Sequence, residues 1–122
     1  MLDKIYYAMY SIRQSGVFIV DIQLKKGILD VCVLYALSKG ESYGYKIISD
    51  LQGVIEISES TLYPILKRLE SGGFVTTRTA EYSGRLRRYY KITRDGLKKL
   101  YSGREDLQEI NLIYRKIFEG RI

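Results

Sequence analysis

Histidine and tryptophan are absent from this chain, and cysteine and proline occur once each. Each gap closes off chemistry. Without histidine there is no Ser–His or Cys–His nucleophile pair and no zinc site built on His and Cys. One cysteine, Cys32, rules out an intramolecular disulfide. It stands in an apolar run and reads as a small buried hydrophobe rather than a reactive thiol. No acidic cluster has metal-ligand spacing, so no metal and no other cofactor is expected. Nor does any stretch approach the roughly 18–20 apolar residues that span a bilayer. The apolar patches at 5–10 and 17–20 are split by Arg13, Gln14 and Ser15, a poor match to a signal peptide, so a cytoplasmic location is expected. Tyr, Lys and Glu can do acid–base work, but nothing here arranges them for it, and no enzyme activity is expected.

What is present is a globular composition, with 46% apolar and 28% charged residues in 122. That length suits one domain plus an extra helix, with a core modest enough for oligomerisation to help. Lys and Arg number 20 against 14 Asp and Glu, a net charge of +6. The excess favours a polyanionic partner, nucleic acid or an anionic membrane surface.

Residues 1–20 read as an N-terminal arm. Tyr6, Tyr7, Met9, Tyr10 and Ile12 share one side of a short helix, and an extended piece follows Gly16. A helix over 24–38 is apolar all round, which predicts burial on every side, part of it by a second subunit. Lys39-Gly40 ends it. Ser42 is the expected N-cap of a second helix over 42–52, with Tyr45, Ile48 and Leu51 on one face and Gly53 as its stop. A third helix is capped by Ser58 or Ser60. Its inner face is Leu62, Ile65, Leu66 and Leu69, Gly72-Gly73 closes it, and Pro64 costs one early hydrogen bond. Two strand-like runs, 74–82 and 85–93, flank Ser83-Gly84 at the spacing of a tight hairpin. Alternation puts Leu86, Arg88, Tyr90 and Ile92 on one side of the second strand and Arg85, Arg87, Tyr89 and Lys91 on the other.

Thr93 then caps a last helix to about Glu119. Its stripe of Leu97, Leu100, Tyr101, Leu107, Ile110, Tyr114, Ile117 and Phe118 is too long for its own domain to cover and is expected to meet another chain. Gly103 weakens that helix slightly. The fold class is mainly α with a two-stranded β wing (α+β), a winged helix-turn-helix over 21–93 and a dimerisation helix over 94–122. The dimer interface is expected at Leu29, Cys32 and Val33 of the first helix and at Leu107, Ile110, Tyr114, Ile117 and Phe118 of the last.

In a helix-turn-helix protein the second helix of the motif enters the major groove with its N-terminal residues leading. Here that is the third helix, whose apolar face leaves Ser60, Tyr63, Pro64 and Lys67 outward, with Thr61 and Arg68 on the flanks. Hydroxyls bond phosphates or base edges, and Lys reaches either. The hairpin follows with Arg85, Arg87 and Arg88, then Lys91, Arg94, Lys98 and Lys99, against one acid, Asp95, in 15 residues. Such a wing can lie along the backbone or enter the minor groove. With 12 tyrosines, most must be core or interface, and Tyr90, Tyr101 and Tyr114 are read so.

At these residues the chain resembles the PadR family of bacterial transcriptional regulators. The matching stretches are Leu24-Lys25-Lys26-Gly27 with Leu29-Asp30, then Ser42-Tyr43-Gly44-Tyr45-Lys46-Ile47. After them come Ser60-Thr61-Leu62-Tyr63-Pro64-Ile65-Leu66-Lys67-Arg68-Leu69-Glu70 and Gly84-Arg85-Leu86-Arg87-Arg88-Tyr89-Tyr90-Lys91-Ile92-Thr93. The resemblance implies a winged-helix homodimer with its last helix as the dimerisation arm, in the short-form subfamily. It implies promoter binding, usually repression, often of a neighbouring transporter or stress gene, with Thr61, Tyr63, Lys67, Arg85 and Arg87 at the DNA. Leu86 replaces a proline often seen after the wing's first arginine, which loosens the tip. The multidrug-sensing branch stacks planar ligands on a tryptophan that this chain lacks. Residues 1–20 precede the usual start of the family, as an added dimerisation or DNA arm or through an upstream start codon.

The leading expectation is a repressor binding a pseudo-palindromic double-stranded operator. A small apolar or aromatic effector, seated where the last helices and the first helix meet, would release it. The alternative is a winged-helix module that binds protein without sequence-specific DNA binding.

Overall fold

Leucine, isoleucine and valine side chains from three helices meet at the centre of this fold. A computed structural model describes residues 22–120, and the expected N-terminal arm lies outside them. The order is α1 (Ile22–Ser38), α2 (Gly44–Leu51), α3 (Glu59–Ser71), β1 (Val75–Tyr82), β2 (Arg85–Ile92) and α4 (Arg94–Phe118). This is the expected α+β architecture, a winged helix-turn-helix with a long C-terminal helix.

Val33, Leu34 and Leu37 of α1, Ile47 and Leu51 of α2, and Leu62, Leu66 and Leu69 of α3 are sealed from solvent. Each such side chain contributes about 1.5–3 kcal/mol by burial. The first helix is not buried on all sides. Leu29 and Val33 lie inside the protomer's own core at 6% and 0% exposure, which leaves them no surface to offer a partner and removes them from the expected interface. Its open side carries Ile28, Val31 and Cys32, half-buried, and Tyr35, exposed.

Ser42 does not cap α2. Tyr43 holds the N-cap position without a side-chain bond. Ser42 instead pairs with Tyr90 of β2, amide to carbonyl in both directions at 3.0 and 2.8 Å. That bridge draws the chain before α2 against the wing and carries the Ser42 hydroxyl into the interior, where it has no partner among the described residues. Of the two serines before α3, Ser58 is the cap, its Oγ accepting from the Thr61 amide at 3.3 Å. Pro64 therefore falls in the second turn, where it has no amide to give the Ser60 carbonyl.

β1 and β2 pair antiparallel from Val75↔Ile92 to Tyr82↔Arg85. Ser83 and Gly84 both have positive φ, 50° and 78°, the pattern of a type I′ hairpin turn. Thr93 caps α4 as expected: its Oγ1 accepts from the Gly96 amide at 3.0 Å and donates to the Gly73 carbonyl at 2.7 Å. One hydroxyl thus fixes both the start of α4 and its position against the end of α3. Gly96 and Gly103 set how α4 lies on the domain. A Cβ on Gly96 would stand 2.2 Å from the Phe74 carbonyl oxygen, and one on Gly103 would stand 2.2 Å from Val31 Cγ2. Gly103 is thus the point where α4 crosses α1, rather than a weak spot. Beyond it every residue of α4 is exposed.

Candidate nucleic-acid interface

With Leu62, Ile65, Leu66 and Leu69 turned inward, α3 presents its other side to solvent. Ser60, Thr61, Tyr63, Pro64 and Lys67 are all exposed there. The hydroxyls at the helix start form a small network. Ser58 Oγ lies 3.0 Å from Ser60 Oγ and donates to Thr61 Oγ1 at 3.1 Å. Tyr63 is 46% exposed, and its hydroxyl lies so close over Gly44 that a Cβ there would be 2.6 Å away. The outer face of α3 thereby lies close against the start of α2. Lys67 has no carboxylate partner among the described residues.

Two of the expected DNA contacts are engaged within the fold. Arg68 forms an ion pair with Asp30, a nearly buried carboxylate on α1. Arg88 pairs with Glu70 at 3.0 Å and donates to Thr77 Oγ1 at 3.2 Å. Glu70 also accepts from Thr77 Oγ1 at 2.6 Å. The Thr77 hydroxyl first, and the Arg88 guanidinium after it, hold the Glu70 carboxyl below its ordinary range. These arginines join α3 to α1 and to the wing.

The opposite face of the wing carries a stack. The Arg87 guanidinium lies between the rings of Tyr43 and Tyr82, its Cζ 3.8 Å from each centroid. Tyr43 meets Tyr89 edge-on at 5.9 Å, and Arg78 covers Tyr89 at 4.6 Å. Arg78 in turn bonds both oxygens of Glu41, at 2.8 and 2.5 Å, and holds that carboxyl below its usual range. Sequence reasoning put Tyr89 on this face beside Arg87 but missed Arg78, Tyr82, Tyr43 and Glu41. The signal was present for β1: alternation across a two-residue turn puts Arg78 and Tyr82 on the same side as Arg87 and Tyr89.

Between α2, α3 and the wing lies an open cleft of about 640 Å³. Its walls include Tyr43, Tyr45, Tyr63 and Tyr82 with Arg85, Arg87 and Arg88, and no carboxylate lines it. Arg85 has no carboxylate partner among the described residues. Leu86, expected on the inner side, is 79% exposed because the wing tip projects past the core its alternation would have faced.

A second groove of about 690 Å³ runs between α1 and α4, lined by Val31, Cys32, Tyr35, Leu100, Tyr101 and Leu107 among others. Burial pushes the Cys32 thiol up from its ordinary pKa, which suits a packing role over a nucleophilic one. Tyr90 is buried, as read, whereas Tyr101 and Tyr114 are more than half exposed. Leu107, Ile110, Tyr114, Ile117 and Phe118 are exposed, from 38% at Leu107 to 73% at Phe118. Among the described residues no helix is long and apolar enough to cross a membrane.

Comparison with known proteins adds three findings. Residues 33–102 match the transcriptional regulator PadR-like family. Over 79 residues the chain is 32% identical to a transcriptional regulator of Mycobacterium tuberculosis, covering 64% of this chain and 74% of that protein. Solved structures are similar as well, two of them informative here. A PadR family transcriptional regulator from Eggerthella lenta has a TM-score of 0.74 at 27% identity, over 98% of this chain and 97% of that one. Bacillus subtilis PadR, solved in complex with operator DNA, has a TM-score of 0.57 at 31% identity, over 62% of this chain and 45% of that one.

Proposed function

The chain belongs to the PadR-like family of transcriptional regulators, and from that premise we propose that it binds a pseudo-palindromic operator as a homodimer and represses transcription there. One observation carries the reading: the outer face of α3 and the wing enclose a cleft walled by tyrosines and arginines with no carboxylate in it. A polyanion there meets cations, hydroxyls and ring faces, with the exposed Leu86 as an apolar member and no carboxylate. Ser60, Thr61, Tyr63 and Lys67 would face the major groove, with Arg85 and Arg87 on the backbone or in the minor groove. Arg68 and Arg88, already paired, would act by holding α3 and the wing in place.

Dimerisation is supported by the stripe on α4 beyond Gly103, whose apolar side chains stay exposed, Ile117 and Phe118 at 65% and 73%. Two recognition helices would then sit one DNA turn apart, roughly 34 Å. The groove between α1 and α4 adjoins that stripe at Leu107. It is of a size and lining to take a small apolar or aromatic effector whose binding shifts the helix spacing and releases the operator.

The test is fluorescence anisotropy with DNA from upstream of the chain's own gene, with scrambled DNA as competitor. Specific binding at two protomers per site, falling steeply with salt, is expected; a flat salt response overturns the reading. Arg85→Glu discriminates it from a protein-binding winged helix, since only a DNA binder must lose DNA affinity on that change.

A further inference from the structure

Arg87 is the only wing arginine held by rings instead of a carboxylate among the described residues. Arg68, Arg78 and Arg88 each have an acidic partner. Arg87 has Tyr43 on one side and Tyr82 on the other, both at 3.8 Å from Cζ. Ring faces attract a guanidinium without using its N–H groups. They also leave its full charge uncompensated, which a carboxylate would not. Tyr43 comes from the loop before α2, and Tyr82 is the last residue of β1. The pair therefore fixes a charge on the wing relative to the helix-turn-helix. The Ser42–Tyr90 bridge and the Glu41–Arg78 pair hold the Tyr43 side of the stack in place.

We infer that Tyr43 and Tyr82 are positioning residues for DNA binding: they hold the Arg87 guanidinium oriented and unneutralised at the cleft, so that a backbone phosphate meets it without its having to be ordered on binding. The inference rests on the DNA-binding reading above. Ordering a long flexible side chain costs affinity, and a planar cation already stacked avoids most of that cost. Phosphate contacts carry no sequence information, so the effect belongs to all DNA, not to the operator alone.

The test is a mutant cycle on the full chain, with a fluorescein-labelled mixed-sequence duplex of about 20 base pairs, two helical turns, over a range of salt. Arg87→Ala is expected to weaken binding about tenfold and to flatten the slope of log affinity against log salt by about one. Tyr82→Leu is expected to weaken binding about fivefold with the slope unchanged, since the charge is still there. Tyr82→Phe, which keeps the ring, should bind like wild type. In the Arg87→Ala background, Tyr82→Leu should cost nothing more. Tyr82 is exposed at the wing tip, so its thermal midpoint should not move. Additive losses in the double variant, or an equal loss in Tyr82→Phe, overturn the inference and leave the DNA-binding reading standing. Wild-type binding that is insensitive to salt overturns both.

Discussion

Gly96 has a carbonyl oxygen where any other residue would place its Cβ. Backbone cannot yield as a side chain can, so Gly96→Ala is expected to cost about 1–3 kcal/mol in urea unfolding despite alanine's better helix propensity. Gly103 differs, because the obstacle there is the Val31 side chain. Gly103→Ala should be partly rescued by Val31→Ala, which opens the space. Arg68→Ala strands the nearly buried Asp30 carboxylate. Arg68 is 45% exposed, so solvent screens part of the pair, and a loss of about 1–2 kcal/mol is expected by the same measurement.

At the scale of elements, the wing is joined to α3 through Glu70, whose carboxyl is held low by Thr77 and then Arg88. A depressed carboxyl favours the folded state while it is ionised. That contribution is complete above the ordinary glutamate pKa of about 4.3 and is lost as pH falls through the lower folded value. The stability difference between wild type and Glu70→Gln should therefore be largest near neutrality and vanish in acid. Urea midpoints at a series of pH values read this directly, and a constant difference would contradict it. The wing alternation was legible for β2 because Tyr90 and Ile92 sit over the core. It failed at Leu86, where the hairpin has outrun the core and no inner side remains.

For the whole molecule, α4 beyond Gly103 is the largest element left exposed among the described residues. A charge placed in the part of its apolar stripe beyond the Gly103 crossing should split the proposed dimer without disturbing the domain, because every residue there is exposed. On the dimer reading, wild type is expected to sediment as a dimer and Tyr114→Glu as a monomer at the same concentration, with the thermal midpoint of the winged domain little changed. On the same reading, operator binding should weaken far more than binding to mixed-sequence DNA, since only the former would need two protomers in register. A variant that stays dimeric would move the interface elsewhere.

Apolar periodicity, capping hydroxyls and turn residues determined the elements, their order and the winged-helix class from the sequence alone, because those signals are local. So was the concentration of cations in the wing. Only the tertiary structure decided which cations are free. Arg68 and Arg88 find carboxylates 38 and 18 residues away in the chain, and Arg87 finds rings from two different segments. Likewise Ser42 reads as a cap beside a helix start, yet its backbone pairs with a strand 48 positions on. Side-chain type fixes what a residue can bind; which partner it meets is set by packing between distant segments, and no local pattern encodes that.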